Sequence, residues 1–224
     1  SAMNVLLLRL CGPMQSWGVQ SKFSVRDSGL EPSKSGVIGL LCAAQGVPRT
    51  APVAHLSALR MGVRVDQEGH LTYDYHTAQH VLKASGGIKD TEPSRRYYLA
   101  DARFLVGLEG DDLSLLTTLH EALRQPRWPL YLGRKAFVPA EPVWLADGLR
   151  PNLSLLEALA SYPWLGPVDG SPPDRLRLVL EDPDHGSEER PDQPLSFAER
   201  RFAPRRVTTR FSPLLPASAA KGGE

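Results

Sequence analysis

Apolar residues along this chain recur with two periods, and the elements they predict alternate between strand and helix. Val5-Leu6-Leu7-Leu8 opens a run that ends at Leu10 and is stopped by Gly12-Pro13, which predicts a buried strand entering a turn. Val37, Ile38, Leu40, Leu41 and Ala44 then fall at helical spacing, with Ser35 placed to cap the helix and Gly46 and Pro48 to stop it. Over residues 59–65 the apolar positions are odd and Arg60 and Arg64 lie between them, predicting a half-buried strand with a basic outer face. After a turn at Gln67-Glu68-Gly69, the alternating Leu71, Tyr73 and Tyr75 supply its predicted hairpin partner. Residues 77–96 lose all periodicity around Ser85-Gly86-Gly87 and predict an exposed excursion. Tyr98, Ala100, Ala102, Phe104, Val106 and Leu108 alternate as one strand, and Asp111-Asp112 caps a helix with Leu115, Leu116, Leu119, Ala122 and Leu123 on its apolar face.

A last short strand over 143–145 completes the order βαββαβ. The expected class is therefore α+β, a ferredoxin-like domain over 3–145 with four antiparallel strands and two helices on one face. Beyond it, Ser154 and Glu157 form a capping box and residues 175–180 alternate as a strand. Residues 146–215 are expected to form a smaller C-terminal subdomain and 216–224 a mobile tail.

Composition narrows the chemistry by exclusion. In 224 residues, 26 Lys and Arg balance 25 Asp and Glu, so bulk charge names no partner. No apolar run approaches the roughly 18 to 20 residues that cross a bilayer, and a cytoplasmic protein is expected. Cys11 and Cys42 sit among apolar residues and read as reduced core thiols, too few for a disulfide framework or a zinc cluster. Without a phosphate-binding loop, nucleophile elbow or dinucleotide fingerprint, no cofactor is expected. His76 and His80 have a metal-ligand spacing, but Thr77 stands where a zinc protease needs Glu. Tyr75, His76, His80 and Lys83 are the groups a metal-free ribonuclease uses on a 2′-hydroxyl, and an exposed polar hairpin edge explains them equally.

Arginine outnumbers lysine 20 to 6, and the basic residues are unevenly placed. Residues 3–64 carry seven basic and two acidic side chains, 181–192 one basic and six acidic, and 199–210 five basic and one acidic. Three segments fit RNA. The first is the loop Gly12-Pro13-Met14-Gln15-Ser16-Trp17-Gly18, followed by Lys22, Arg26 and Lys34, where a helix start at Ser35 offers N–H groups to a phosphate; Trp17 reads equally as a lid on the core. The second is Tyr131-Leu132-Gly133-Arg134-Lys135, a glycine turn with two cations. The third is Arg200-Arg201-Phe202 with Arg205-Arg206, cations interleaved with an aromatic ring, a pattern that grips single strands and also suits a solvated strand edge.

On these segments the chain resembles the fifth family of CRISPR-associated proteins in its type I-E form. The likeness is collinear through Arg9-Leu10-Cys11-Gly12-Pro13-Met14-Gln15-Ser16-Trp17-Gly18, Lys34-Ser35-Gly36-Val37-Ile38-Gly39-Leu40-Leu41, Asp74-Tyr75-His76-Thr77, Tyr98-Leu99-Ala100-Asp101-Ala102, Tyr131-Leu132-Gly133-Arg134-Lys135 and Arg201-Phe202-Ala203-Pro204-Arg205. The resemblance implies a ferredoxin-like domain with a thumb over about 66–97, and a subunit that holds the 5′ handle of the CRISPR RNA beside the CasC backbone and CasA large subunits of Cascade. Lys83, Lys89, Arg95 and Arg96 would meet phosphates from that thumb. Type I-C relatives cut the precursor RNA with Tyr, Lys and His, the last two adjacent; the Lys-His dipeptide is absent here, so binding without catalysis is expected.

Overall fold

The computed structural model describes residues 2–18, 21–22, 25–26 and 28–216. In chain order the elements are β1 (Asn4–Cys11), β2 (Met14–Gln15), β3 (Ser21–Lys22), β4 (Val25–Arg26), α1 (Lys34–Gln45), α2 (Ala54–Ser57), β5 (Arg60–Gln67), β6 (His70–Leu82), β7 (Ile88–Ala100) and β8 (Arg103–Gly110). They continue with α3 (Leu113–Arg124), β9 (Trp144–Arg150), α4 (Leu155–Ser161), β10 (Leu176–Glu181), β11 (Glu188–Ser196) and β12 (Arg201–Ser212). The result is a mixed α/β fold dominated by antiparallel sheets.

The larger sheet runs β11-β12-β10-β5-β8-β1-β9. β1 explains why it is covered on both faces. Its Leu6, Leu8 and Leu10 pack with α1 and α3, while Val5 and Leu7 pack with α4 on the opposite side. Each fully buried leucine contributes about 1.5–3 kcal/mol, so a strand apolar on both faces stabilises two helical layers at once. β10 pairs with β5 from Arg177 opposite Val65 to Leu180 opposite Gly62, and β9 spans residue 145, so residues 146–215 extend the same sheet. Beyond Pro216, the expected tail lies outside the described residues. No helix among the described residues is long and apolar enough to cross a membrane.

Local chemistry sets the helix starts. Asp112 accepts from Leu115 N at 3.0 Å, and Ser154 and Glu157 complete the capping box on α4. On α1 the cap is Ser33, whose Oγ accepts from Gly36 N at 3.2 Å, and not Ser35, which is the second residue of the helix.

Four further expectations need correction. β5 pairs with β8 and β10, whereas residues 71–75 belong to β6, which pairs with β7 in a second sheet containing β2, β3 and β4. Residues 77–96 are regular hairpin strands for most of their length; exposure on both faces removed the apolar period that would have marked them. The alternation from Tyr98 to Leu108 is broken at Asp101, whose left-handed backbone (φ 58°) turns β7 into β8. Arg64 is also buried, not on a basic outer face. Its guanidinium forks onto Asp66 at 2.6 and 2.7 Å and donates to the carbonyls of Leu159 and Tyr162 at the end of α4.

Candidate nucleic-acid interface

Segments far apart in sequence meet along α1. The loop after α3 docks on the helix end, where Arg127 N and Trp128 N donate to the carbonyls of Ala44 and Ala43 at 2.9 and 3.1 Å. It then doubles back at Gly133 (φ +90°), where a Cβ would lie 1.6 Å from the Ser16 carbonyl oxygen, so only glycine lets the two loops pass. Ser16 N donates to Leu132 O at 3.0 Å across this crossing. Ser16 Oγ and Arg134 Nη2 both donate to Tyr97 O, at 3.2 and 2.9 Å, fastening both loops to the root of β7. From the other side, the β11–β12 tip brings Phe197, edge-on to Phe202 at 6.3 Å, against the helix.

Between them lies an open groove of about 250 Å³ whose lining includes Ser35, Gly39, Arg49, Trp128, Tyr131 and Phe197. Trp128 and Tyr131 are 46% and 38% exposed, which is high for rings of their size in a folded chain. At Gly39, on the groove, a Cβ would meet nothing nearer than Phe197 Cζ at 3.9 Å, although glycine inside a helix costs about 0.5–1 kcal/mol relative to alanine.

The residues expected to touch RNA fall in several places. Ser35 and Gly133 line the groove, Lys135 is exposed beside it and Arg134 is half-buried with its guanidinium over the Phe137 ring, 5.4 Å from the ring centre. Arg201 is exposed at the start of β12 and paired with Glu199. On the β6–β7 hairpin, the exposed Arg95 lies 5.6 Å from the ring centres of both Tyr73 and Tyr75, Arg96 is half-buried with its Nε unpartnered among the described residues, and Lys83 is exposed near the tip. Lys22, Arg26 and Lys89 sit on β3, β4 and β7, and their side chains lie outside the described residues.

Four others are corrected by their burial. Gln15 donates from Nε2 to the carbonyls of Leu10 and Ala102 at 3.0 and 2.9 Å and accepts from Trp17 Nε1, so Trp17 is the core lid, packed over Gly36. Lys34 is 1% exposed; its ammonium donates to both Glu181 oxygens at 2.8 and 3.0 Å and to Ser57 O at 2.7 Å. Burial pulls the Lys34 pKa below its ordinary value, and Glu181 works against that pull. Arg205 is buried on Asp192, which also accepts from Lys34 N at 3.0 Å and so fills the helix-start position expected for a phosphate. The acidic 181–192 stretch thus supplies the counter-charges for cations that a sequence reading leaves exposed.

Sequence reasoning missed Arg49, Trp128 and Phe197 as lining residues. Trp128 carried a signal, since it stands in Pro126-Arg127-Trp128-Pro129 directly after a helix, where a large ring has no periodic reason to be buried. The ribonuclease candidates do not gather on one face: Tyr75 and His76 are consecutive on β6 and point to opposite faces, and Tyr75 is engaged with Arg95. Cys11 and Cys42 are free and buried, and burial pushes the Cys11 thiol up to about 12.

Comparison with known proteins gives consistent results. The family model described as CRISPR-associated protein (Cas_Cas5) matches residues 5–208. The CRISPR system Cascade subunit CasD of Escherichia coli (strain K12) is 34% identical over 155 residues, 62% of this chain and 69% of that protein. A solved structure described as the crystal structure of a Cas protein is 47% identical with a TM-score of 0.78, covering 95% of this chain and 97% of the other. A chain of a CRISPR RNA-guided surveillance complex is 34% identical with a TM-score of 0.75, covering 94% and 90%.

Proposed function

This chain belongs to the CRISPR-associated protein (Cas_Cas5) family, and from that premise we infer that it is a subunit of a type I-E CRISPR surveillance complex that holds the 5′ handle of the CRISPR RNA without cutting it. One observation carries the reading to RNA. The α1 groove and the Gly133 turn, tied through Tyr97 O to the root of the long hairpin, gather flat rings (Trp128, Tyr131) and cations (Arg49, Lys135) in one region. Single strands are gripped in this way, by stacking on the bases and by charge on the phosphates.

The fold reading is supported by the strand order β5-β8-β1-β9, with α1 and α3 packed on one face, the order of a split βαβ unit. On this reading the β6–β7 hairpin is the thumb inserted into a ferredoxin-like domain over 3–145, and residues 146–215 are its C-terminal extension. The CasC backbone and CasA large subunits of Cascade are its proposed neighbours. Absence of catalysis is favoured by the separation of Tyr75 from His76 across the strand.

Two experiments test this. Labelled handle RNA in the assembled complex is expected to crosslink to residues 131–135 and to the hairpin; a complex that assembles without such crosslinks makes the chain a purely structural adaptor. Purified protein is expected to leave its own repeat RNA intact, and metal-independent cleavage lost on His76→Ala would make it an endoribonuclease.

A further inference from the structure

Gly36 and Gly39 are neighbours on α1, and only one is explained by the fold. A Cβ at Gly36 would lie 2.7 Å from Trp17 Cε3, so the core lid requires glycine there. At Gly39 the nearest atom is 3.9 Å away, ordinary contact distance, and alanine would fit while favouring the helix. The packing of the chain itself therefore does not call for glycine at this position. The groove above it is about 250 Å³, smaller than the clefts of about 300–1,000 Å³ that enclose drug-sized molecules. Trp128, Tyr131 and Phe197 all line it, and its volume is of the order that a single planar ring system needs.

We propose that Gly39 is the floor of a nucleobase subsite, in which one unstacked base of the bound RNA lies flat on the α1 backbone between these aromatic walls. The proposal rests on the RNA-binding reading above. Arg49, exposed where α1 gives way to the following loop, and Lys135, exposed beside the Gly133 turn, supply positive charge for the flanking phosphates. An apolar side chain from a protein partner would use the rings but not the cations.

The test pairs stability with binding. Gly39→Ala is expected to raise the melting temperature of the chain by about 2–4 °C, as a relieved helix glycine does in a domain of this size, while weakening binding of its own handle RNA by about tenfold. Abasic substitution at successive handle positions then locates the base: at one position, wild type and Gly39→Ala should bind equally, because the base that clashes with the methyl has been removed. Trp128→Ala, a change at an exposed ring, should weaken binding and lose its effect at the same position.

Unchanged RNA affinity in Gly39→Ala overturns the subsite, as does a weakening that no abasic position removes. If Gly39→Ala keeps RNA affinity but blocks assembly, the groove holds a protein side chain instead. The RNA-binding reading fails separately, if the wild-type chain gives no handle crosslink in the assembled complex.

Discussion

Lys34 and Glu181 stand 147 positions apart and meet inside the protein at 2.8 Å. Removing one partner of such a pair leaves a charge buried without compensation, which costs about 3–5 kcal/mol. Lys34→Met is therefore expected to lower the melting temperature by about 10 °C or more, and adding Glu181→Leu should restore part of the loss. Loss of RNA binding at an unchanged melting temperature would instead mean that the ammonium is available to a ligand. Side-chain direction is what the sequence hides at this scale. Ser35 and Gly133, which line the groove, were legible as candidate positions because a helix start and a glycine turn are local features. Lys34, Arg205 and Gln15 were not, because their partners Glu181, Asp192 and Ala102 are brought in by the fold. A basic side chain in a loop looks the same from the sequence whether it faces water or a buried carboxylate.

At the scale of elements, legibility followed burial. β1, α1, α3 and α4 bury one or two faces, so their apolar period and cap residues mark them. The β6–β7 hairpin buries little beyond Leu99 at its root and is held by its backbone ladder and by ring contacts such as Tyr73–Tyr97 at 5.5 Å. Near its tip Leu82 and Ile88 face each other in register, 79% and 59% exposed. Replacing residues 82–92 by a short Gly-Ser link is accordingly expected to leave the melting temperature of the isolated chain nearly unchanged while abolishing assembly of the surveillance complex. A fall of about ten degrees or more, the size that follows loss of several buried side chains, would place the segment in the core.

For the molecule as a whole, a formal charge of +1 gives little long-range attraction for RNA. Free protein should bind its handle weakly, with a logarithmic salt slope near −3 if about four phosphates are neutralised. A slope near zero would show that the basic segments are not the RNA surface. The order of the large sheet has another consequence, in time. β1 is made well before its neighbours β8 and β9, and Asn4 is paired with Gly110. At about 5–20 residues per second, a ribosome needs roughly 5–20 s to make the intervening hundred residues. Throughout that interval Val5-Leu6-Leu7-Leu8, the most apolar stretch of the nascent chain, has no strand to pair with and is exposed to aggregation unless a chaperone holds it.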